Sequence, residues 1–289
     1  MVIAVLFIDV LNAANYTSIS KIFSLIRNMI MLMTMQTLQQ ALATVGRRTR
    51  ATPHFTGFIT DLIVPQKDNA DGAGTARPQA FLVEQTPNWT LPTHFHAQHQ
   101  FQVFVAGSGS LGKHGIGQLG IHYASPYSTY GPLLSGAQGV SYLTLRLIGD
   151  TGAWYLPEAR EHLPLRIKKQ QAHAAPSAAT LLPALTALDT ALEEVLIAPE
   201  ESGLAAWLIR LPPHHKVPAP TNDAHNGGRF YVVTQGALMV DEVALHGIGC
   251  RMWRRGKRVL SCWYCSFLRL RWALNWLARR RVGGGNWTL

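Results

Sequence analysis

From Phe55 to Asp150 the chain runs in short apolar stretches separated by Gly, Pro, Asn and Ser. Ala80–Glu84, Phe101–Ala106, Gly117–Tyr123 and Val140–Leu147 are each rich in β-formers and bounded by turn residues. Short strands at such spacing predict an all-β sandwich or barrel. A different period governs Ser177–Ile197, where Leu181, Leu185, Leu188, Leu192 and Val195 recur at steps of three and four. That spacing predicts a helix connecting two strand-rich regions. Gln36–Thr44 reads as a short polar helix.

The chemistry concentrates in Pro92-Thr-His94-Phe-His96-Ala-Gln-His99-Gln100. On a strand, residues two apart share a face, so His94 and His96 point the same way and Phe95 the other. Gln100 follows His96 by four residues, and Gly107 follows by seven more, where a turn is expected to close the strand Phe101–Ala106.

This pattern resembles the first motif of the cupin superfamily, His-x-His, three or four residues, Glu, six residues, Gly. His94, His96 and Gly107 fit it; Gln100 stands where the family has Glu, and Asn88 where it has an upstream Gly. The resemblance implies a jelly-roll barrel and a metal held by His94, His96, a ligand at Gln100 and a third histidine from a later strand. His122, in Gly120-Ile-His122-Tyr123, is the best candidate, with His99 and His114 competing. Neutral imidazoles and an oxygen donor converging inside a barrel suit a divalent transition metal such as iron, manganese, nickel or zinc. An amide in place of a carboxylate removes one negative charge from that set. The alternative is a barrel whose histidines are satisfied by backbone or water, with no metal.

The spacing recurs 129 residues later. Asp223 falls on His94, His225 on His96, Arg229 on Gln100 and Gly236 on Gly107, and Phe101–Gly107 parallels Phe230–Gly236. Upstream, Ala80–Glu84 parallels Ala206–Arg210. A repeat of this kind implies two barrels in tandem, the bicupin arrangement. An arginine is always cationic and repels a metal, so the second copy is expected to be structural, or to use Arg229 to hold an anionic substrate group.

Charge separates the two ends from this body. Residues 250–289 hold nine Arg, one Lys and no acid, so of the 26 basic and 16 acidic residues the rest balance at 16 and 16. A nucleic-acid-binding surface is therefore not expected on the body. All three cysteines and five of the eight tryptophans also lie in that segment. Its composition reads as a basic Arg/Trp tail, and as the product of an out-of-frame sequence replacing strands the second barrel needs. The pair Cys262 and Cys265 has the spacing of a zinc knuckle but lacks a second pair. Residues 1–34 are broken by Asp9, Asn12, Asn15, Lys21 and Arg27, too often for a membrane span, and read as a non-native or weakly anchoring extension.

The expected organisation is thus mainly β. A cupin-type jelly-roll barrel (35–150) leads through a linker with a helix (151–203) to a partial second barrel (204–249) and the basic tail (250–289). The expected protein is cytoplasmic, binds a small molecule, and could pair as a homodimer. Its function is that of a metal-binding cupin, an oxygenase or isomerase acting on a small organic molecule. The alternative is a non-catalytic ligand-binding or sensor module without metal. No nucleophile elbow or phosphate-binding loop is present, and Gly107-Ser-Gly109-Ser-Leu-Gly112 opens no helix.

Overall fold

The computed structural model describes residues 35–64, 78–150, 152–166, 168–218, 226–240, 243–253 and 259–273. The extension 1–34, the repeat positions Asp223 and His225, and residues 274–289 lie outside them.

In chain order, β1 (Met35–Thr37) leads into α1 (Leu38–Thr44), then β2 (Arg48–Ala51), β3 (Thr56–Ile63), β4 (Gln79–Gln85), β5 (Thr90–Leu91), β6 (His94–Phe95), β7 (Gln100–Leu111), β8 (His114–Ile116), β9 (Ile121–Ala124) and β10 (Leu133–Arg146). There follow β11 (Trp154–Tyr155), β12 (Gln171–Ala174), α2 (Ala178–Leu181), β13 (Leu192–Ile197), β14 (Ala205–Leu211), β15 (Lys216–Pro218), β16 (Asn226–Val240), β17 (Val243–His246), β18 (Gly249–Trp253) and β19 (Val259–Ala273). The α1 helix starts on a capping box in which Thr37 and Gln40 satisfy each other's backbone N–H. Among the described residues no helix is long and apolar enough to cross a membrane.

Two large antiparallel sheets carry the fold. The first has the order β12-β9-β7-β10-β4-β3-β2, with β5 and β8 at its margins. The second has the order β1-β18-β16-β19-β14-β13, with β15 and β17 at its margins. The middle strands of the two orders correspond, β9-β7-β10-β4-β3 to β18-β16-β19-β14-β13, so the sequence repeat is also a repeat of topology. It reaches into local detail. In β7 the pairing with β10 passes from Phe104 to Ala106, and in β16 the pairing with β19 passes from Val233 to Gln235. Each is a bulge, the two lie 129 residues apart, and each is followed by a left-handed glycine, Gly107 at φ 72° and Gly236 at φ 76°. Gly107 therefore does not end its strand, as expected from sequence, but bends it. A Cβ there would lie 2.1 Å from the Gly139 carbonyl oxygen, which is why the position takes glycine. The strand runs on to Leu111 and turns at Gly112-Lys113.

Alternation gives the strands of the first sheet two buried faces. Ala80, Leu82, Phe101, Val103, Tyr123, Leu143 and Leu145 lie on one face, packed in one cluster with Leu204, Ala206, Leu208, Phe230, Val232 and Cys250 of the second sheet. The two sheets therefore share a core, in which burying each large apolar side chain contributes about 1.5–3 kcal/mol. The opposite face of the first sheet holds Val83, Phe104 and Tyr142 together with the polar side chains described below.

Two expectations are corrected here. The helix expected over Ser177–Ile197 is confined to the single turn of α2 and a 3₁₀ turn at Leu185–Ala187, and Leu192–Ile197 is a strand paired with β14. Pro183 lacks the N–H that a continuing helix needs, and Ala184 is already extended at ψ 144°. The β-branched Val195 and Ile197 then take the open edge of β14. The basic segment is not set apart from the second sheet either: β18 and β19 belong to it, and β19 lies between β16 and β14. The boundaries expected at 150 and 249 are also crossed at the start of the chain, since β1 pairs with β18 of the second sheet.

Candidate functional site

The inward face of the first sheet is organised in rungs. Arg146 stands opposite Gln79; Thr144 opposite Phe81 and Gln102; Tyr142 opposite Val83 and Phe104. Gln102 in turn stands opposite His122 on β9. A cavity of about 180 Å³ opens on these rungs, lined also by His94, His96, Gln100, Tyr130, Asp150 and Tyr155. Beside it β11 pairs Tyr155 with His94 and Trp154 with Phe95, and Tyr155 stacks on His54 with ring centroids 4.1 Å apart.

One directed chain of hydrogen bonds runs through the site. Arg146 donates from Nη2 to Gln100 Oε1 at 2.9 Å and from Nη1 to Gln79 Oε1 at 2.9 Å. Gln100 Nε2 donates to the Tyr130 hydroxyl. That hydroxyl lies 2.9 Å from His94 Nε2, and His94 Nδ1 lies 2.8 Å from the Pro92 carbonyl oxygen. Because the carbonyl can only accept, His94 carries its proton on Nδ1, and its Nε2 accepts from Tyr130. Every donor and acceptor role along Arg146–Gln100–Tyr130–His94 is thereby fixed.

His96 is held from the other side. Its Nδ1 lies 3.0 Å from Gly152 O and 3.3 Å from Asp150 Oδ2, and because the carbonyl can only accept, the proton sits there; Arg146 Nη2 lies 3.1 Å from Nδ1 and 3.3 Å from Nε2. Burial is the main cause that holds the His94 imidazole down at about 3, with the neighbouring His96 adding to it. Burial also lowers His96, against the pull of Asp150. For Asp150, burial pushes the carboxyl up, but the bond from His96 and the charge of Arg146 outweigh it and hold it below its usual range. At neutral pH the site therefore contains neutral imidazoles, one guanidinium and one carboxylate.

Of the sequence candidates, His94, His96 and Gln100 come together in the cavity. His122 points inward from β9 but bonds through Nδ1 to Gln102 Oε1 at 2.8 Å, with Tyr130 on one side of its ring and His173 on the other. His99 lies apart, 2.7 Å from the Tyr123 hydroxyl, and His114 stacks on His173. Arg229 is buried in β16 of the second sheet at the register position that corresponds to Gln100. Sequence reasoning missed Tyr130, Arg146 and Asp150. Arg146 left a signal: a charged residue in the inward alternation of an apolar strand needs a buried partner.

These residues do not fit a metal as they stand. The lone pair of His94 Nε2 and the carbonyl of Gln100 are committed to Tyr130 and Arg146, and a guanidinium lies within 3.3 Å of both ring nitrogens of His96. Among the described residues, no group of three His, Cys, Asp or Glu side chains is arranged to hold an ion.

The strand order and its inward-facing polar rungs are those of a cupin-type β-barrel fold. Its solved structural neighbours include the oxalate decarboxylase of Bacillus subtilis, at 11% identity and TM-score 0.53, with 85% of this chain and 79% of that chain covered. The Bacillus subtilis enzyme has Mn(II) centres. The oxalate decarboxylase of Lactobacillus farciminis, in a formate complex, matches at 11% identity and TM-score 0.51 over 85% of this chain and 90% of that one. At such identity the likeness is one of fold. No protein-family model and no curated protein sequence matches the chain.

Proposed function

We propose that the first barrel binds a small organic anion, a carboxylate, beside Arg146 and without a metal. The observation that carries this reading is the commitment of Arg146, Gln100, Tyr130 and His94 to one another. The guanidinium stands where a cation would be needed, and it is 3% exposed. Its Nε and Nη2 bond Gln100, Nη2 also meets His96 and Nη1 bonds Gln79, which leaves one Nη1 N–H for an incoming carboxylate; a second donor comes from displacing one of these neutral partners. Asp150 offsets part of its charge, which lets the cation remain buried in the free protein.

The test is calorimetric titration of the full chain with formate and acetate, alongside elemental analysis of the purified protein. Saturable binding that is lost in Arg146→Gln, with no stoichiometric transition metal, supports the reading. A stoichiometric ion that disappears in a His94→Ala/His96→Ala double variant overturns it.

That last outcome belongs to the second reading, a metal-dependent oxygenase or isomerase. One observation favours it: His94, His96 and His122 surround the Tyr130 ring at centroid distances of 4.4, 6.4 and 4.7 Å. Rotation of that single side chain out of the barrel would free His94 Nε2.

A further inference from the structure

The rungs of the first sheet change character along the strands. The rung of Arg146 and Gln79 is wholly polar, and Gln100, His96 and Asp150 gather at the same end. The next rung is mixed, with Phe81 beside Thr144 and Gln102. The one beyond pairs Val83 with Tyr142 and with Ile59 of β3, and Leu91 and Phe55 also line the cavity. The cavity therefore has a cationic end and an apolar end, separated by one rung. On one strand face, residues two apart are about 7 Å apart and residues four apart about 13 Å, so a carboxylate held at the guanidinium and joined directly to a ring lays that ring on the Phe81 rung and its far edge towards Val83.

The volume sets the size. About 180 Å³ is small beside the roughly 300–1,000 Å³ of sites for drug-sized ligands. An apolar cavity of roughly 150 Å³ is enough for one benzene ring.

From this we infer the class of ligand: a monocarboxylic acid with a compact apolar body of about one ring, its carboxylate at Arg146 and its body against Phe81, Val83 and Ile59. This rests on the anion-binding reading above and narrows it. Arg50 and the Tyr142 hydroxyl also reach the lining, so the selection comes from the apolar body: oxalate has none to lay on Phe81 and Val83.

The experiment is a competitive titration of the full chain with acetate, benzoate, oxalate and benzamide. Benzoate is expected to bind about tenfold or more tighter than acetate, because its ring leaves water; benzamide and oxalate are expected to bind more weakly than benzoate by a similar factor. Filling the apolar end with Val83→Phe should remove the advantage of benzoate over acetate. Equal affinities for acetate and benzoate, or tighter binding of oxalate, would overturn the inference while the anion site stands. A preference for benzoate that survives Val83→Phe would also overturn it. If no carboxylate binds, the underlying reading falls as well. The wild-type series decides the matter even if Val83→Phe fails to fold.

Discussion

The two sheets are built alike and equipped differently. Both carry the same strand order, the same bulge and the same left-handed glycine 129 residues apart. At the position where the first sheet has Gln100, the second has Arg229. An amide there both accepts and donates, so it can link Arg146 to Tyr130; a guanidinium only donates and cannot. Backbone devices such as bulges and glycine turns belong to the fold and recur in both copies. The chemistry is decided by single side chains on one rung.

The comparison can be broken most severely by deleting 259–273. That removes β19 from between β16 and β14 and leaves the shared core without a wall, so the whole chain is expected to lose its cooperative thermal transition, read by circular dichroism. If the first sheet instead melts cooperatively alone, the two copies are independent. Arg146→Gln comes next. It leaves Gln100, His96 and Asp150 without their cation, and breaking a buried charged network costs about 3–5 kcal/mol. Carboxylate binding should vanish, whereas Arg229→Gln should leave acetate affinity unchanged; equal losses would place the anion site in the wrong copy.

Acid should act through the first copy. Burial holds His94 at about 3 and His99 and His173 at about 4, all below the ordinary 6.5. The unfolded chain takes up these protons as pH falls from 6.5, and the folded chain does not. Stability is therefore full above pH 6.5 and declines towards pH 4. The melting temperature should drop steadily across that window, and a flat profile would mean the imidazoles are not buried neutral.

A gentler change tests the role of Gln100. The pair of substitutions Gln100→Glu and Tyr130→Phe restores a carboxylate and frees His94 Nε2, and should raise the affinity for Mn(II) or Zn(II) measurably above that of the wild type. The smallest effect is expected from Asp150→Asn, which removes the counter-charge near Arg146 and should tighten acetate binding a few-fold.

Much of the fold was legible because its signals are local. The spacing His94, His96, Gln100, Gly107 and its copy marked the repeat, and alternation marked β4, β7 and β10. The site was legible only in part. Tyr130, Arg146 and Asp150 lie 30, 46 and 50 residues from Gln100 or beyond, as their bonds to it and to His96 show, and no local spacing announces them. The periodic leucines of 177–197 misled because Pro183 and the waiting edge of β14 outweigh helical spacing. Composition misled at the end of the chain: a segment rich in Arg and Trp looks foreign, yet residues 249–253 and 259–273 sit in register with strands of the second sheet.

Cys250 lies in the core between the sheets, fully enclosed, and burial pushes its thiol up to about 12. It is thus a natural clock for the parting of the two halves. Under native conditions a thiol reagent should modify it only as often as the interface opens, and peptide mapping would time that event without any label being engineered. A ligand bound far away, on the opposite face of the first sheet, should slow the clock to the extent that it steadies the strands both faces share.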